Sequence, residues 1–305
     1  MMRILANDGL DNKAIDIFKE KNFEIDTNHY EIEDLKKVIV DYDILIVRSA
    51  TKVKKDLIDA AKGSKLKLII RAGVGLDNID VKYANSNDIT VKNTPNSSSN
   101  SVAELVLGHM FGLARHIVLS NLTMRQGQWN KSKYTGIELS GKTLGIIGFG
   151  RIGKALAGKA SALGMNIVYY DRFKNENESY TFMSLNELLV NSDFITLHVS
   201  ATDRPLIGKE EIDMMKNGVV IINTARGGVI DEEALLNGLN ENKVGGAGID
   251  VFEEEPSLNA ELINHPKVSV TPHIGAATFE AQERIGEEVV EIVLDFYDNL
   301  ANIAS

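Results

Sequence analysis

The chain has 305 residues, 44% of them hydrophobic, which is enough for two cores at about 100–200 residues per domain. It contains no cysteine, which excludes a disulfide framework, a thiol nucleophile and a cysteine-ligated metal; no metal site is expected. A formal net charge of −10 opposes general attraction to nucleic acid or to an anionic membrane, so an anionic ligand has to meet a local cluster of positive side chains.

In chain order, the start Met1-Met2-Arg3-Ile4-Leu5-Ala6-Asn7-Asp8 turns polar too soon for a signal-peptide core, and no apolar run approaches ~18 residues. A cytoplasmic location is expected. Apolar runs at 44–47, 66–70, 143–147, 166–170, 194–197, 219–222, 246–249 and 268–270 alternate with stretches of helical period. That alternation predicts an α/β fold with parallel sheets covered on both faces. Arg48, Ser49 and Arg71 stand at or just past the first two runs, and Gly73-Val74-Gly75 can present backbone N–H groups to an anion. The Asn, Pro and Ser cluster at 93–101 reads as a linker, followed by a long helix with Val102, Leu105, Val106, His109, Met110 and Leu113 on its apolar positions.

The run 143–147 leads directly into Gly148-Phe149-Gly150-Arg151-Ile152-Gly153 and then into good helix formers. In a dinucleotide fingerprint the first glycine permits the tight turn, the second admits the pyrophosphate, and the third lets helix and strand pack closely. Asp171 ends the next run and suits the adenosine ribose hydroxyls, which favours NAD over NADP; the adjacent Arg172 weakens that preference slightly. Farther on, three segments place ionisable residues beside turns: Thr224-Ala225-Arg226-Gly227-Gly228, Asp250 through Glu253-Glu254-Glu255-Pro256, and Thr271-Pro272-His273-Ile274-Gly275-Ala276. The stretch 278–300 has Ile285, Val289, Ile292, Val293 and Phe296 at helical spacing.

Together with Arg48-Ser49-Ala50-Thr51, Arg71 to Asn78, Asn93-Thr94-Pro95-Asn96, Ser101 to Leu105 and Gly127-Gln128-Trp129, these motifs resemble the D-isomer-specific 2-hydroxyacid dehydrogenases over nearly the whole chain. Within that family the likeness is greatest to the branch that oxidises D-3-phosphoglycerate. The resemblance implies two Rossmann-like or flavodoxin-like parallel-sheet domains: a substrate domain of 1–97 plus 280–305, and an NAD-binding domain of 98–279 inserted into it. It implies hydride transfer with NAD, oxidation of D-3-phosphoglycerate to 3-phosphohydroxypyruvate as in L-serine biosynthesis, and a homodimer or larger homo-oligomer. A reductase of glyoxylate, hydroxypyruvate or another 2-keto acid is the alternative, and an NAD-sensing corepressor scaffold a remote one. Many phosphoglycerate dehydrogenases carry C-terminal domains that bind serine; since the sequence stops soon after its last helix, neither such a domain nor inhibition by serine is expected.

The resemblance also implies residue roles. Arg226 clamps the substrate carboxylate, His273 exchanges the hydroxyl proton, and the glutamate just before Pro256, Glu255, partners the histidine and stabilises its imidazolium. The residues alone leave Glu253, Glu254 and Glu255 open as that partner. Cofactor contacts are expected from Gly148, Gly150, Arg151, Ile152, Gly153, Asp171, Val199, Thr224, Ala225, Arg226, Asp250, His273, Gly275 and Ala276. Substrate contacts are expected from Arg48, Ser49, Arg71, Val74, Gly75 and Asn96, with Lys131 reaching the phosphate from a neighbouring subunit. His198-Val199-Ser200 departs from the His-x-Pro of many relatives, and the loop to Leu206 looks short, which leaves its local backbone in question. His29, His109, His116 and His265 lack a turn setting like that of His273 and read as surface or core residues.

Overall fold

The computed structural model describes residues 2–174 and 179–304, with side chains through Asn299. Met1 and Ser305, the outer limits of the expected first segments, and the Leu300 side chain lie outside the described residues. The chain forms two compact units, Met1–Ser98 with Ala276–Ser305, and Ser99–Gly275.

In the first unit, strands β1 (Arg3–Ala6), β2 (Glu24–Asp26), β3 (Ile44–Val47), β4 (Leu68–Arg71) and β5 (Thr90–Asn93) form one parallel sheet in the order β2-β1-β3-β4-β5. Side chains alternate across a strand, so each strand feeds two cores. Leu5, Leu45, Val47 and Ile69 point to one face, while Ile4, Ile44, Ile46, Leu68 and Ile70 point to the other. The second core is completed by Ile285, Val289, Val290 and Val293 from the helix Phe279–Ala304. That helix lies against the helix Asn12–Glu20, and a Cβ on Gly286 would stand 3.0 Å from the Cβ atoms of both Ala14 and Asp11. A side chain at 286 would crowd this approach, and Lys13 pairs with Glu283 beside it. Apolar runs mark β3 and β4; β2 and β5 show none, because Glu24-Ile25-Asp26 and Thr90-Val91-Lys92-Asn93 are sheet edges with polar residues facing out.

The second unit contains β6 (Thr143–Ile147), β7 (Asn166–Tyr170), β8 (Thr181–Phe182), β9 (Phe194–Leu197), β10 (Val219–Asn223), β11 (Val244–Ile249) and β12 (Val268–Val270). They form a parallel sheet in the order β12-β11-β10-β9-β6-β7-β8. This is the doubly wound Rossmann order, in which ligands bind beyond the carboxyl ends of the strands where the direction of winding reverses, between β6 and β9. Alternation again separates two cores, with Ile147, Ile195, Leu197, Val219 and Ile221 on one face and Ile146, Phe194, Val220 and Ile222 on the other.

The helix Ser99–Ala114 covers β10, β11 and β12. Strand β11 is rich in glycine because that helix lies close to it. A Cβ on Gly248 would stand 2.8 Å from the Cβ of His109, and one on Gly246 would stand 3.3 Å from Leu113. No single helix among the described residues is long and apolar enough to cross a membrane; the pair Ser99–Ala114 and Ile117–Arg125 qualifies only jointly and is bent by 63°.

Candidate active site

Strand β6 ends in a turn that fits a dinucleotide. Gly148 has φ +92°, and its Cβ would lie 2.4 Å from the His198 carbonyl oxygen. A Cβ on Gly153 would lie 2.5 Å from the Gly148 carbonyl, whereas Gly150 has nothing within 4 Å. Two of the glycines therefore close the turn and the third leaves open space at the start of the helix Arg151–Ala162, the end that favours an anion. Arg151 and Ile152 form the first residues of that helix.

Asp171, just past β7, accepts the Phe149 N–H at 2.8 Å and the Arg172 N–H at 2.7 Å, so the carboxylate is fixed against the fingerprint turn. At the ends of neighbouring strands β9 and β10, the His198 Nδ1 and the Thr224 Oγ1 are buried without a hydrogen-bond partner among the described residues. Buried polar atoms are normally satisfied, so these two call for polar groups of a ligand. Val199 is half-buried against the same core, and past Ser200 the chain rejoins the fold where Leu206 N–H reaches the Val229 carbonyl at 2.8 Å. The residues present thus suit a dinucleotide on glycine, charge and orphan-atom grounds. Among the described residues no group of His, Asp and Glu is arranged to hold a metal.

Three loops of the second unit carry Arg226, Glu255 and His273. The Asn223 side chain organises the first: its Oδ1 accepts the Ala225 N–H at 3.0 Å and its Nδ2 donates to the Arg226 carbonyl at 2.8 Å. Arg226 is half-buried, and its Nη1 donates to the Ala225 carbonyl at 2.5 Å. A Cβ on Gly227 would stand 1.7 Å from the Phe252 carbonyl, so glycine is required for the Arg226 loop to meet the loop that carries Glu255.

Of the three candidate acids, Glu255 is the one placed against the histidine. Glu255 Oε2 lies 2.7 Å from His273 Nδ1, and its Oε1 accepts the Phe252 N–H at 3.3 Å. The Glu253 N–H donates to Glu232 Oε1 at 2.9 Å; burial and the neighbouring Glu232 push the Glu253 carboxyl up from the ordinary range. His273 has φ +54°, a strained left-handed conformation of the kind that clusters at functional sites. Its N–H donates to the Asp250 carbonyl at 2.8 Å, and it lines a pocket of about 410 Å³ with Phe252, Glu255, Pro256, Val270 and Pro272.

Asp250 is 1% exposed, and its carboxylate accepts from the Ile274 N–H, the Gly275 N–H and the Thr271 hydroxyl. What the described structure shows of it is a pin for the histidine loop. Gly275 ends the second unit, with its carbonyl accepting the Ser101 hydroxyl at 2.7 Å; Ala276 falls in the first, with its carbonyl accepting the Gln282 amide at 2.7 Å. Lys131 starts a short 3-10 turn, Lys131–Lys133, on an exposed stretch of the second unit.

In the first unit, Arg71 ends β4 in register with Val47, so Arg48 and Arg71 stand at the carboxyl ends of adjacent strands. The loop of Arg48, with the exposed Ser49, is held by Asp8, which accepts the Arg48 N–H at 2.7 Å and the Thr51 N–H at 3.1 Å. The expectation for Gly73-Val74-Gly75 needs one correction. The Gly73 N–H donates to the Arg71 carbonyl at 2.9 Å across a tight turn, so it is not available to an anion, while Val74 is exposed and Gly75 half-buried. Asn96 gives its side-chain amide to Glu288 Oε1 at 2.9 Å, which ties it to the last helix. Of the polar residues that brace these loops, the sequence reads His109 only as surface or core and assigns no bracing role to Asp8 or Thr271, since no spacing rule links 109 to 271 or 8 to 51.

The family model for the D-isomer specific 2-hydroxyacid dehydrogenase NAD-binding domain matches residues 107–275. A hydroxypyruvate reductase of Thermotoga maritima is 48% identical, covering 95% of this chain and 96% of that protein. A D-3-phosphoglycerate dehydrogenase of Methanocaldococcus jannaschii is 47% identical over 95% of this chain, which spans 56% of that relative's length. A crystal structure of a protein from Thermus thermophilus superposes with a TM-score of 0.90 at 34% identity, covering 98% of this chain and 97% of that one. A glycine turn, a buried histidine pin and likeness from end to end agree: the chain belongs to the D-isomer specific 2-hydroxyacid dehydrogenases and carries their NAD-binding domain.

Proposed function

We propose that the chain oxidises D-3-phosphoglycerate to 3-phosphohydroxypyruvate with NAD, with His273 as the acid–base group, Glu255 as its partner and Arg226 as the carboxylate clamp. The observation that supports the reading most is the 2.7 Å contact between His273 Nδ1 and Glu255. A carboxylate accepts only, so Nδ1 carries the proton and Nε2 of the neutral ring is the acceptor. Nε2 takes the substrate hydroxyl proton as C2 becomes a carbonyl carbon, and Glu255 stabilises the imidazolium that results. Bound NAD supplies the acceptor for the hydride leaving C2. The Arg226 fork holds the carboxylate in two parallel hydrogen bonds and fixes the orientation of C2.

The pair Arg48 and Arg71 supports a phosphorylated substrate, since two arginines at the carboxyl ends of adjacent strands exceed what a single carboxylate requires. A second reading, reduction of hydroxypyruvate, is favoured by the end-to-end likeness to the Thermotoga reductase. Steady-state rates with 3-phosphoglycerate, D-glycerate, hydroxypyruvate and glyoxylate against NAD(H) and NADP(H) decide between them. A kcat/KM at least about tenfold higher for the phosphorylated acid is expected, and the opposite order gives the reductase.

We also propose that the protein is a homo-oligomer. The helix Ile117–Arg125 buries none of its residues, and Ile117, Val118, Leu122, Met124 and Trp129 are 51–79% exposed, a patch that a second copy would cover. Lys131 follows this patch, which suits the expected reach toward a neighbour's substrate. Sedimentation measures the assembly, and a monomer with full activity would refute the role given to Lys131.

A further inference from the structure

We propose that His109 and Thr271 are positioning residues for His273, acting through Asp250 along a directional chain of buried hydrogen bonds. The inference rests on the assignment of His273 as the acid–base group. His109 is 3% exposed in the middle of the helix Ser99–Ala114. Its Nδ1 lies 2.9 Å from Ser269 Oγ and its Nε2 lies 3.1 Å from Thr271 Oγ1, while Thr271 Oγ1 lies 2.6 Å from Asp250 Oδ1.

The direction follows from proton counting. The Asp250 carboxylate has no proton to give, so the Thr271 hydroxyl donates to it. Thr271 Oγ1 then has only lone pairs left for His109, so Nε2 carries the proton. In a neutral ring Nδ1 is therefore an acceptor, and Ser269 donates to it. Burial pushes the His109 imidazole below its ordinary range, against an opposing pull from Asp250, which keeps the ring in this neutral form.

The far end of the chain is the catalytic loop itself. The N–H groups of His273, Ile274 and Gly275 all end on Asp250, on its carbonyl and its two carboxylate oxygens. Three consecutive amides converging on one residue impose the left-handed φ of +54° that His273 adopts. A carboxylate held at one oxygen by Thr271 and aimed through His109 cannot rotate without breaking those bonds. Gly248 reserves the space: a Cβ there would come 2.8 Å from the Cβ of His109. His109 is thus a core residue, as its sequence setting suggests, with both ring nitrogens hydrogen-bonded.

The test compares Thr271→Val, Thr271→Ser and His273→Ala in the full chain, assayed below the melting temperature of each. Thr271→Val is expected to lower kcat at least about tenfold with the KM for NAD within about twofold, and Thr271→Ser to recover kcat to within about threefold of wild type. Thr271→Val at wild-type kcat, or Thr271→Ser as impaired as Thr271→Val, would overturn the proposal. Should His273→Ala retain kcat, the reading of the site fails first; loss in His273→Ala with none in Thr271→Val defeats the relay alone. A measurement that needs no variant is the nitrogen-15 NMR spectrum of the labelled wild type, where His109 is expected as the neutral Nε2–H tautomer. An Nδ1–H tautomer or a charged ring at neutral pH would contradict the chain of donors.

Discussion

The loop leaving β3 in the first unit and the loop leaving β12 in the second are held by the same arrangement of atoms. Each is pinned by an aspartate just past the neighbouring parallel strand, Asp8 after β1 and Asp250 after β11. In each, a threonine of the loop donates its hydroxyl to Oδ1 at 2.6 Å, Thr51 to Asp8 and Thr271 to Asp250. Each threonine oxygen also faces a nitrogen from a buried side chain, Asn7 Nδ2 at 2.9 Å and His109 Nε2 at 3.1 Å. The difference lies in what is braced. The first loop carries the charge of Arg48; the second carries His273, whose Nδ1 meets Glu255 and whose backbone is left-handed. An amide anchors the first and an imidazole the second, while an aspartate carboxylate is the acceptor in both.

The largest effect tests that division of labour. His273→Ala is expected to lower kcat by roughly 10²–10⁴ with NAD affinity nearly unchanged, because proton transfer is lost while the glycine turn is untouched. A kcat within tenfold of wild type would remove the histidine from the chemistry. The complementary substitution, Arg48→Ala, should act on binding instead. Charge-assisted hydrogen bonds contribute roughly 1.5–3 kcal/mol, so KM for 3-phosphoglycerate should rise about tenfold or more with kcat little altered, and KM for D-glycerate should change less. Equal penalties for the two acids would count against a phosphate at Arg48.

Acid stability sharpens the contrast between the units. Burial holds the His198 imidazole down to about 4, below the ordinary 6.5, so an unfolded chain takes up a proton that the folded second unit refuses. The stability tied to this group is full above pH ~6.5 and is lost as the pH falls toward 4, up to about 3 kcal/mol. Urea unfolding between pH 7 and 4, followed in wild type and His198→Gln, should show the steeper loss in wild type, and parallel curves would refute it. The smallest effect concerns the cofactor: with Asp171 proposed to accept the ribose hydroxyls and repel a 2′-phosphate, kcat/KM should favour NAD over NADP by at least about tenfold and Asp171→Ala should narrow the gap by weakening NAD. Wild type with equal values for the two would show that Arg172 dominates there.

What could be read from the sequence follows from range. Apolar runs fully buried on both faces, such as Ile44–Val47 and Phe194–Leu197, announce themselves because every residue must be apolar. Edge strands such as Glu24–Asp26 do not, since one side meets water. Turns that need a missing Cβ, at Gly148, Gly153 and Gly227, are local demands and leave a local mark.

The amino-acid sequence by itself therefore determined the parallel α/β class, the dinucleotide turn, the acid at the end of β7 and the three loops that carry Arg226, Glu255 and His273, because each rests on neighbours a few residues apart. Only the tertiary structure decided, beyond what the resemblance implies, which of three glutamates meets the histidine and that Gly73 spends its N–H on Arg71. It alone joined Asn7 to Thr51 and His109 to Thr271. Those contacts form between residues far apart in the chain, where a hydrogen bond's 3 Å reach is met by strand pairing and helix packing and leaves no periodicity in the sequence.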